Sequence, residues 1–225
     1  MSYILNELKA NGRETSTPAA ESPELDLENP KVRQILDGAN KVFLDEGYDA
    51  ATTDLIARTA GVSKATLYVY FKSKEALLKA MVHRETRSLM PTLWDHMSGP
   101  IDIAAVLLRI ARTFTNLIMT KSGEGLHRLV IAQASRFPEV GQIFYDAGPR
   151  QIRAQVAAIL RTATEQGDLE IPDIDMAATQ FLSLMMGELP HNRQISLPLP
   201  SQTELDAVIA SGIKLFLRGY APKHR

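Results

Sequence analysis

Between Pro30 and Gly47 the apolar side chains Val32, Ile35, Leu36, Ala39, Val42 and Phe43 recur at steps of three and four, the spacing of one helix face. Asn29 followed by Pro30 is a strong start for that helix, because asparagine accepts from the first free N–H groups and proline needs none of its own. Gly47 ends it, and Tyr48 is placed to close a small core from the following loop. A second, shorter stripe follows in Leu55, Ile56 and Ala60, with Thr52 or Thr53 as its cap. Gly61 then supplies a left-handed backbone position that only glycine adopts cheaply. Val62 fills the corner, and Ser63 caps a helix from Lys64 to Tyr70 whose Leu67 and Phe71 face inward. Ser73 opens a long helix with Glu75 in its first turn, where the dipole favours an acid. That helix runs through Leu77, Leu78, Met81 and Val82 towards Leu89, with Pro91 as a kink and Gly99-Pro100 as a stop.

The remainder reads as further helices with short breaks. Asp102 to about Met119 carries Ile103, Val106, Leu107, Ile110, Phe114, Leu117 and Ile118 on one broad face. Gly123 to Arg136 carries Leu126, Leu129, Val130 and Ile131, and Pro138 opens a short segment closed by Gly148. Pro149 starts a helix with Ile152, Val156, Ile159, Leu160 and Ala163 that stops at Gly167. Asp173 caps the next, in which Phe181, Leu182, Leu184, Met185, Met186 and Leu189 leave little polar face, so it must be buried from several directions. Leu197 to Pro200 is a stiff connector, and Ser201 with Glu204 forms a capping box for a last helix bearing Leu205, Val208, Ile209, Leu215 and Phe216. No segment reads as a strand. The expected fold is all-α: an N-terminal three-helix head and a larger C-terminal helical body.

Composition narrows the class. The 225 residues are 45% hydrophobic and 23% charged, ordinary for a globular chain long enough for a small head on a larger body. Absence of cysteine excludes disulfides, thiolate metal sites and cysteine nucleophiles. The net charge of −1 hides a partition: residues 1–29 hold two basic against six acidic side chains, and residues 30–97 hold ten against eight. Residues 1–28 therefore read as a flexible acidic leader, 29–90 as the head and 91–225 as the body. No apolar run is long enough to span a membrane and the N-terminus lacks the apolar core of a secretory signal, which predicts a cytoplasmic chain.

Two short helices over a glycine-containing turn make a helix-turn-helix, whose second helix enters the DNA major groove. From Thr52 to Lys74, Arg58, Lys64, Lys72 and Lys74 oppose only Asp54. Lys64, Ala65, Thr66, Tyr68 and Tyr70 fall on the outer side of the second helix, a compact positive surface with hydroxyl donors that suits a phosphate backbone. Lys64 is placed for a guanine O6 or N7 and Ala65 for a thymine methyl.

Phe43, Gly47, Thr52, Thr53, Ile56, Ala57, Ala60, Gly61, Val62, Ser63, Leu67, Tyr68, Tyr70, Phe71, Lys74, Glu75 and Leu77 together resemble the DNA-binding head of the TetR/AcrR family of transcriptional regulators. The resemblance covers roughly Pro30 to Met90. It implies a homodimeric, ligand-responsive regulator, most often a repressor, bound to a pseudo-palindromic double-stranded DNA operator. It places base readout near Lys64, Ala65 and Tyr68, and phosphate contacts at Thr53, Thr66, Tyr70 and Lys74. Asp54 departs from relatives that carry a basic base-reading residue there; an acid repels phosphate unless it accepts from a cytosine amine.

For the body the resemblance implies a pocket for a largely apolar effector. Phe114, Ile118, His127, Arg128, Phe137, Phe144, Tyr145, Phe181 and Met185 offer apolar and aromatic lining with a few polar groups, though the same residues serve equally as ordinary core. It also implies dimerisation through the last two helices. Ala177, Ala178 and Gly187 in one and Ala207, Ala210, Ser211 and Gly212 in the other allow close approach, either across a twofold or within one chain. No histidine has metal-ligand spacing and no nucleophile–base pairing occurs, so no metal, cofactor or enzyme activity is expected. The other classes are a small-molecule-binding helical protein whose head does not bind DNA, and a helical-bundle enzyme, which would need a buried acid–base pair.

Overall fold

The computed structural model describes residues 26–90, 102–194 and 197–222. Among these every regular element is a helix: α1 (Pro30–Ala50), α2 (Thr53–Thr59), α3 (Lys64–Tyr70), α4 (Lys74–Leu89), α5 (Ile103–Met119), α6 (Lys121–Ala134), α7 (Pro138–Ala147), α8 (Pro149–Glu165), α9 (Ile174–Met186), α10 (Leu189–Gln194) and α11 (Gln202–Tyr220). The expected leader before residue 26, the Pro91 kink and the Gly99-Pro100 stop lie outside the described residues.

The caps sit where local chemistry places them. Asn29 Oδ1 accepts from the N–H groups of Lys31 and Val32, Thr52 Oγ1 from Leu55, Ser63 Oγ from Thr66, and Ser73 Oγ from Ala76. Each removes an orphan donor, worth about 1 kcal/mol relative to alanine. Gly47 (φ 78°) breaks the helical path near the end of α1, and Gly61 (φ 66°) turns the chain between α2 and α3.

Val32, Ile35, Leu36, Phe43, Ile56, Leu67, Phe71, Leu77, Leu78 and Met81 are buried together as the head core. That core does not stop at the head. Leu126, Leu129 and Val130 of α6 and Val140 of α7 belong to the same cluster, and the Phe137 ring meets Tyr48 edge-on at 5.3 Å. Arg136 adds an ion pair to Asp49 at 2.9 Å. A second core joins α5, α8, α9 and α11 through Leu107, Ile110, Val156, Leu160, Phe181, Met185, Ile209 and Phe216.

The structure corrects two details and places the small residues of the last two long helices. α6 begins at Lys121 rather than Gly123, because Thr120 Oγ1 accepts from the Gly123 N–H and caps the helix earlier. α9 ends at Gly187 (φ 50°), so Leu189 starts a separate short helix instead of extending it. Ala177 and Ala178 are buried inside the protomer, and Gly212 lets α11 close on α9: a Cβ there would sit 2.6 Å from Met185 Cε and 3.3 Å from the Leu184 carbonyl. Gly212 thus lets α9 and α11 approach within one chain, while Ala207, Ala210 and Ser211 are exposed.

Candidate nucleic-acid interface and ligand cavity

α3 is held against the head core by Leu67 and by Phe71 just beyond it, which turns Lys64, Ala65, Tyr68 and Val69 outward. Tyr68 is 39% exposed and Val69 67%, so the outward face mixes a phenol, a cation and bare apolar surface. Val69 carries no charge or hydroxyl and was not among the expected contacts; its position four residues after Ala65 on the outward face was the signal. Thr66 is half-buried, its hydroxyl 2.8 Å from that of Ser63. Tyr70 is also half-buried and packs against the head core rather than standing clear.

Two polar links tie α2 to α3. Lys64 Nζ meets Asp54 Oδ1 at 2.7 Å, and the Thr53 and Tyr68 hydroxyls are 3.2 Å apart. The carboxylate beside it raises the Lys64 pKa through the hydrogen bond and then through charge attraction, so this ammonium stays charged. Asp54 therefore partners the leading lysine of α3 instead of standing alone towards DNA. Lys74 is differently placed: its ammonium donates to the carbonyls of Tyr48 (2.7 Å) and Ala51 (2.9 Å) and lies 4.3 Å from the Tyr48 ring centroid. It staples the start of α4 to the last turn of α1 and to Ala51 just beyond it.

The turn is braced from α1. Gln34 Nε2 donates to the Ala60 carbonyl at 2.7 Å. Gly38 permits this approach, since a Cβ there would lie 2.7 Å from Ala60 Cβ and 2.8 Å from its backbone nitrogen. The α1 stripe does not single out Gly38, as glycine has no side chain to count in a periodicity.

A cavity of about 300 Å³ opens at the other end of α4. Thr86, Leu89 and Met90 come to it from α4 and its end, Phe114, Leu117 and Ile118 from α5, and Gly123, Leu126 and His127 from α6. Phe144, Gly148, Pro149, Ile152, Leu182, Met186 and Leu189 complete the wall. Of the expected lining, Phe114, Ile118, His127 and Phe144 meet here, with His127 edge-on to Phe144 at 6.1 Å. The other residues lie elsewhere. Phe137 packs on Tyr48, Tyr145 is exposed beside Arg150, Arg128 is exposed and pairs with Glu124 at 3.8 Å, and Phe181 and Met185 fill the second core. Thr86 was missed because a lone threonine on a long polar helix carries no sequence signal. No cluster of histidine and carboxylate side chains able to hold a metal occurs among the described residues. No single helix there is long and apolar enough to cross a membrane.

A helix-turn-helix braced on a helical body with an apolar cavity defines a class: one-chain helix-turn-helix transcription regulators. The sequence matches the family profile of bacterial regulatory proteins of the tetR family over residues 35–81, and that of the AefR-like transcriptional repressor C-terminal domain over residues 105–222. The chain belongs to the TetR family of transcriptional regulators, a non-enzymatic family, with an AefR-like C-terminal domain. Among solved structures it is similar to a TetR-family regulator from Mesorhizobium loti MAFF303099, with 26% identity, TM-score 0.74, and 85% of this chain and 97% of that one covered. It is likewise similar to the flavonoid-responsive regulator FrrA, with 33% identity, TM-score 0.72, and 86% and 98% covered. An uncharacterized HTH-type regulator of Mycobacterium tuberculosis is 50% identical over 75 residues, 33% of this chain. The chain spans only 37% of that relative's length.

Proposed function

We propose that the protein is a ligand-responsive repressor that binds a pseudo-palindromic operator as a homodimer, with residues 29–90 as the DNA-binding domain and 91–225 as the ligand-binding and dimerisation domain. It acts in the cytoplasm, where its operator is. The observation that carries this reading is α4: one helix begins against the braced helix-turn-helix and ends in the wall of an apolar cavity. Lys64, Ala65, Tyr68 and Val69 read base edges, with Lys64 exchanging Asp54 for a guanine. Thr53 and Thr66 contact phosphates, and Tyr70 and Lys74 set the frame that presents them. Two heads should meet successive major grooves about 34–36 Å apart.

The dimer face is the exposed side of α9 and α11, where Met176, Thr179, Gln180, Ser183, Val208 and Leu215 face outward. Gly212, among the small residues first expected at that face, lets α11 close on α9 within the chain. The effector occupies the cavity. FrrA answers to flavonoids by its name, and a cavity lined by Phe114 and Phe144 among leucines and methionines suits an aromatic molecule. Leu126 faces the cavity and also belongs to the head core, so a ligand that repositions it shifts the head. The ligand must favour the non-DNA conformation by as much free energy as it removes from DNA binding.

Selection from a pool of random duplexes tests this. Enrichment of an inverted repeat, with affinity falling steeply as salt rises, is expected; a pool that stays random would remove the operator reading.

A further inference from the structure

Among the described side chains of the cavity wall, Thr86 carries a buried hydroxyl with no partner. Thr86 is 1% exposed, lies on α4 in the cavity wall, and its hydroxyl has no hydrogen-bond partner. Its methyl is spoken for: a Cβ on Gly148 would sit 2.8 Å from Thr86 Cγ2. A buried hydroxyl without a partner is destabilising, and a valine of the same shape would avoid that cost. The other buried threonine among the described residues, Thr115, satisfies itself locally by donating to the Ala111 carbonyl at 2.8 Å. Thr86 has no such local acceptor, and its hydroxyl lies just beneath the surface of the cavity wall.

The rest of the wall limits what can enter. Apart from His127, none of the described lining residues is ionisable. With His127 neutral, an ionised carboxylate or phosphate would be desolvated without a counter-charge, which is strongly unfavourable. Size sets a second bound. An apolar cavity of roughly 150 Å³ holds a benzene molecule, so about 300 Å³ takes two rings or their equivalent.

We infer that the cavity binds a neutral, two-ring-sized apolar molecule carrying one hydrogen-bonding oxygen, and that this oxygen is recognised by the Thr86 hydroxyl. The inference rests on the ligand-cavity reading above and names the ligand's chemistry. The hydrogen bond would form on the helix that begins at the DNA-binding head, so recognition and signal would share one residue. An apolar molecule lacking the oxygen would fill the same space and leave Thr86 unsatisfied.

Thr86→Val and Thr86→Ser in the full chain test it. Without any ligand, Thr86→Val should raise the melting temperature, by roughly 2–4 °C if about 1 kcal/mol is recovered; a lowered melting temperature would mean that the hydroxyl already has a partner, and would overturn the inference. Calorimetric titration then uses three molecules of one framework: 4-phenylphenol, biphenyl and biphenyl-4-carboxylate. Wild type should prefer the phenol over biphenyl by roughly five- to tenfold, Thr86→Val should lose that preference, and Thr86→Ser should keep it. The carboxylate should bind weakest. An unchanged phenol preference in Thr86→Val, tightest binding of the carboxylate, or no binding by any of the three overturns the inference. Ile118→Trp, which fills the cavity, separates this from the broader reading: undiminished binding there would mean that the cavity is not the ligand site at all.

Discussion

The outward row of the head comes from Thr53 to Val69, where neighbours in space are neighbours in sequence. The cavity wall draws on helices from α4 to α10, with Thr86 and Leu189 about a hundred residues apart. The head relies on surface chemistry: its outward residues are mostly exposed and polar or small, and fixed by a compact core beneath them. The body works by omission, leaving space where side chains from many helices fail to meet. Charge follows the same division. Lys64, Asp54 and Lys72 stand in solvent, where an ion pair is worth little, whereas Thr86 carries a buried hydroxyl in an apolar wall, where one unmet bond matters. A surface reader can therefore change specificity at little cost in stability, while a cavity changes ligand by repacking.

The two regions share a core, and the largest expected effect tests that. Phe43 is buried and stacks on Tyr48 at 5.7 Å between centroids, and Tyr48 in turn meets Phe137 of the body. Phe43→Ala should cost about 3–5 kcal/mol. If head and body fold as one unit through this contact, urea denaturation should show a single transition moved to lower concentration; a body transition left at its wild-type midpoint would show two independent units.

Gly38→Val attacks the head alone. The new side chain would press on the Ala60 backbone at the helix-turn-helix corner, costing about 1–3 kcal/mol and pushing α2 and α3 off α1. DNA binding should fall sharply while 4-phenylphenol binding stays within about twofold of wild type, as titration of both would reveal. Equal loss of both would dissolve the distinction between the regions.

Asp54→Asn tests surface chemistry directly. Releasing Lys64 should strengthen binding to random duplex, and the plot of log affinity against log salt should steepen by about one phosphate contact. An unaltered slope would mean that Asp54 does not compete with DNA for this lysine.

The smallest effect concerns α4. Burial, then the nearby Arg87 charge, lowers the His83 pKa below its ordinary 6.5. The unfolded chain then binds this proton more readily than the folded one, so stability is full above pH 6.5 and declines as pH falls through 6.5 towards the lowered folded value. The group is largely solvated, so the decline is slight. His83→Gln should lose less melting temperature than wild type between pH 7.5 and 5.5; equal losses would assign the acid sensitivity elsewhere.

Much of this architecture was legible in the chain itself. Asn29, Thr52, Ser63, Ser73 and Ser201 cap helices as their residue types require, and Gly61 turns the corner as only glycine does readily, because caps and turns depend on atoms within a few residues of each other. The same locality made α3 readable as a recognition helix. Tertiary structure alone decided that Lys74 faces the Tyr48 and Ala51 carbonyls, that Asp54 takes Lys64, and that Gly212 lets α11 close on α9 within one chain. It also decided that Phe181 and Met185 are core while Phe114 and Phe144 border a void. An apolar residue at helical spacing looks alike in either place: periodicity records which side faces inward, whereas a cavity exists only where several inward sides leave room between them.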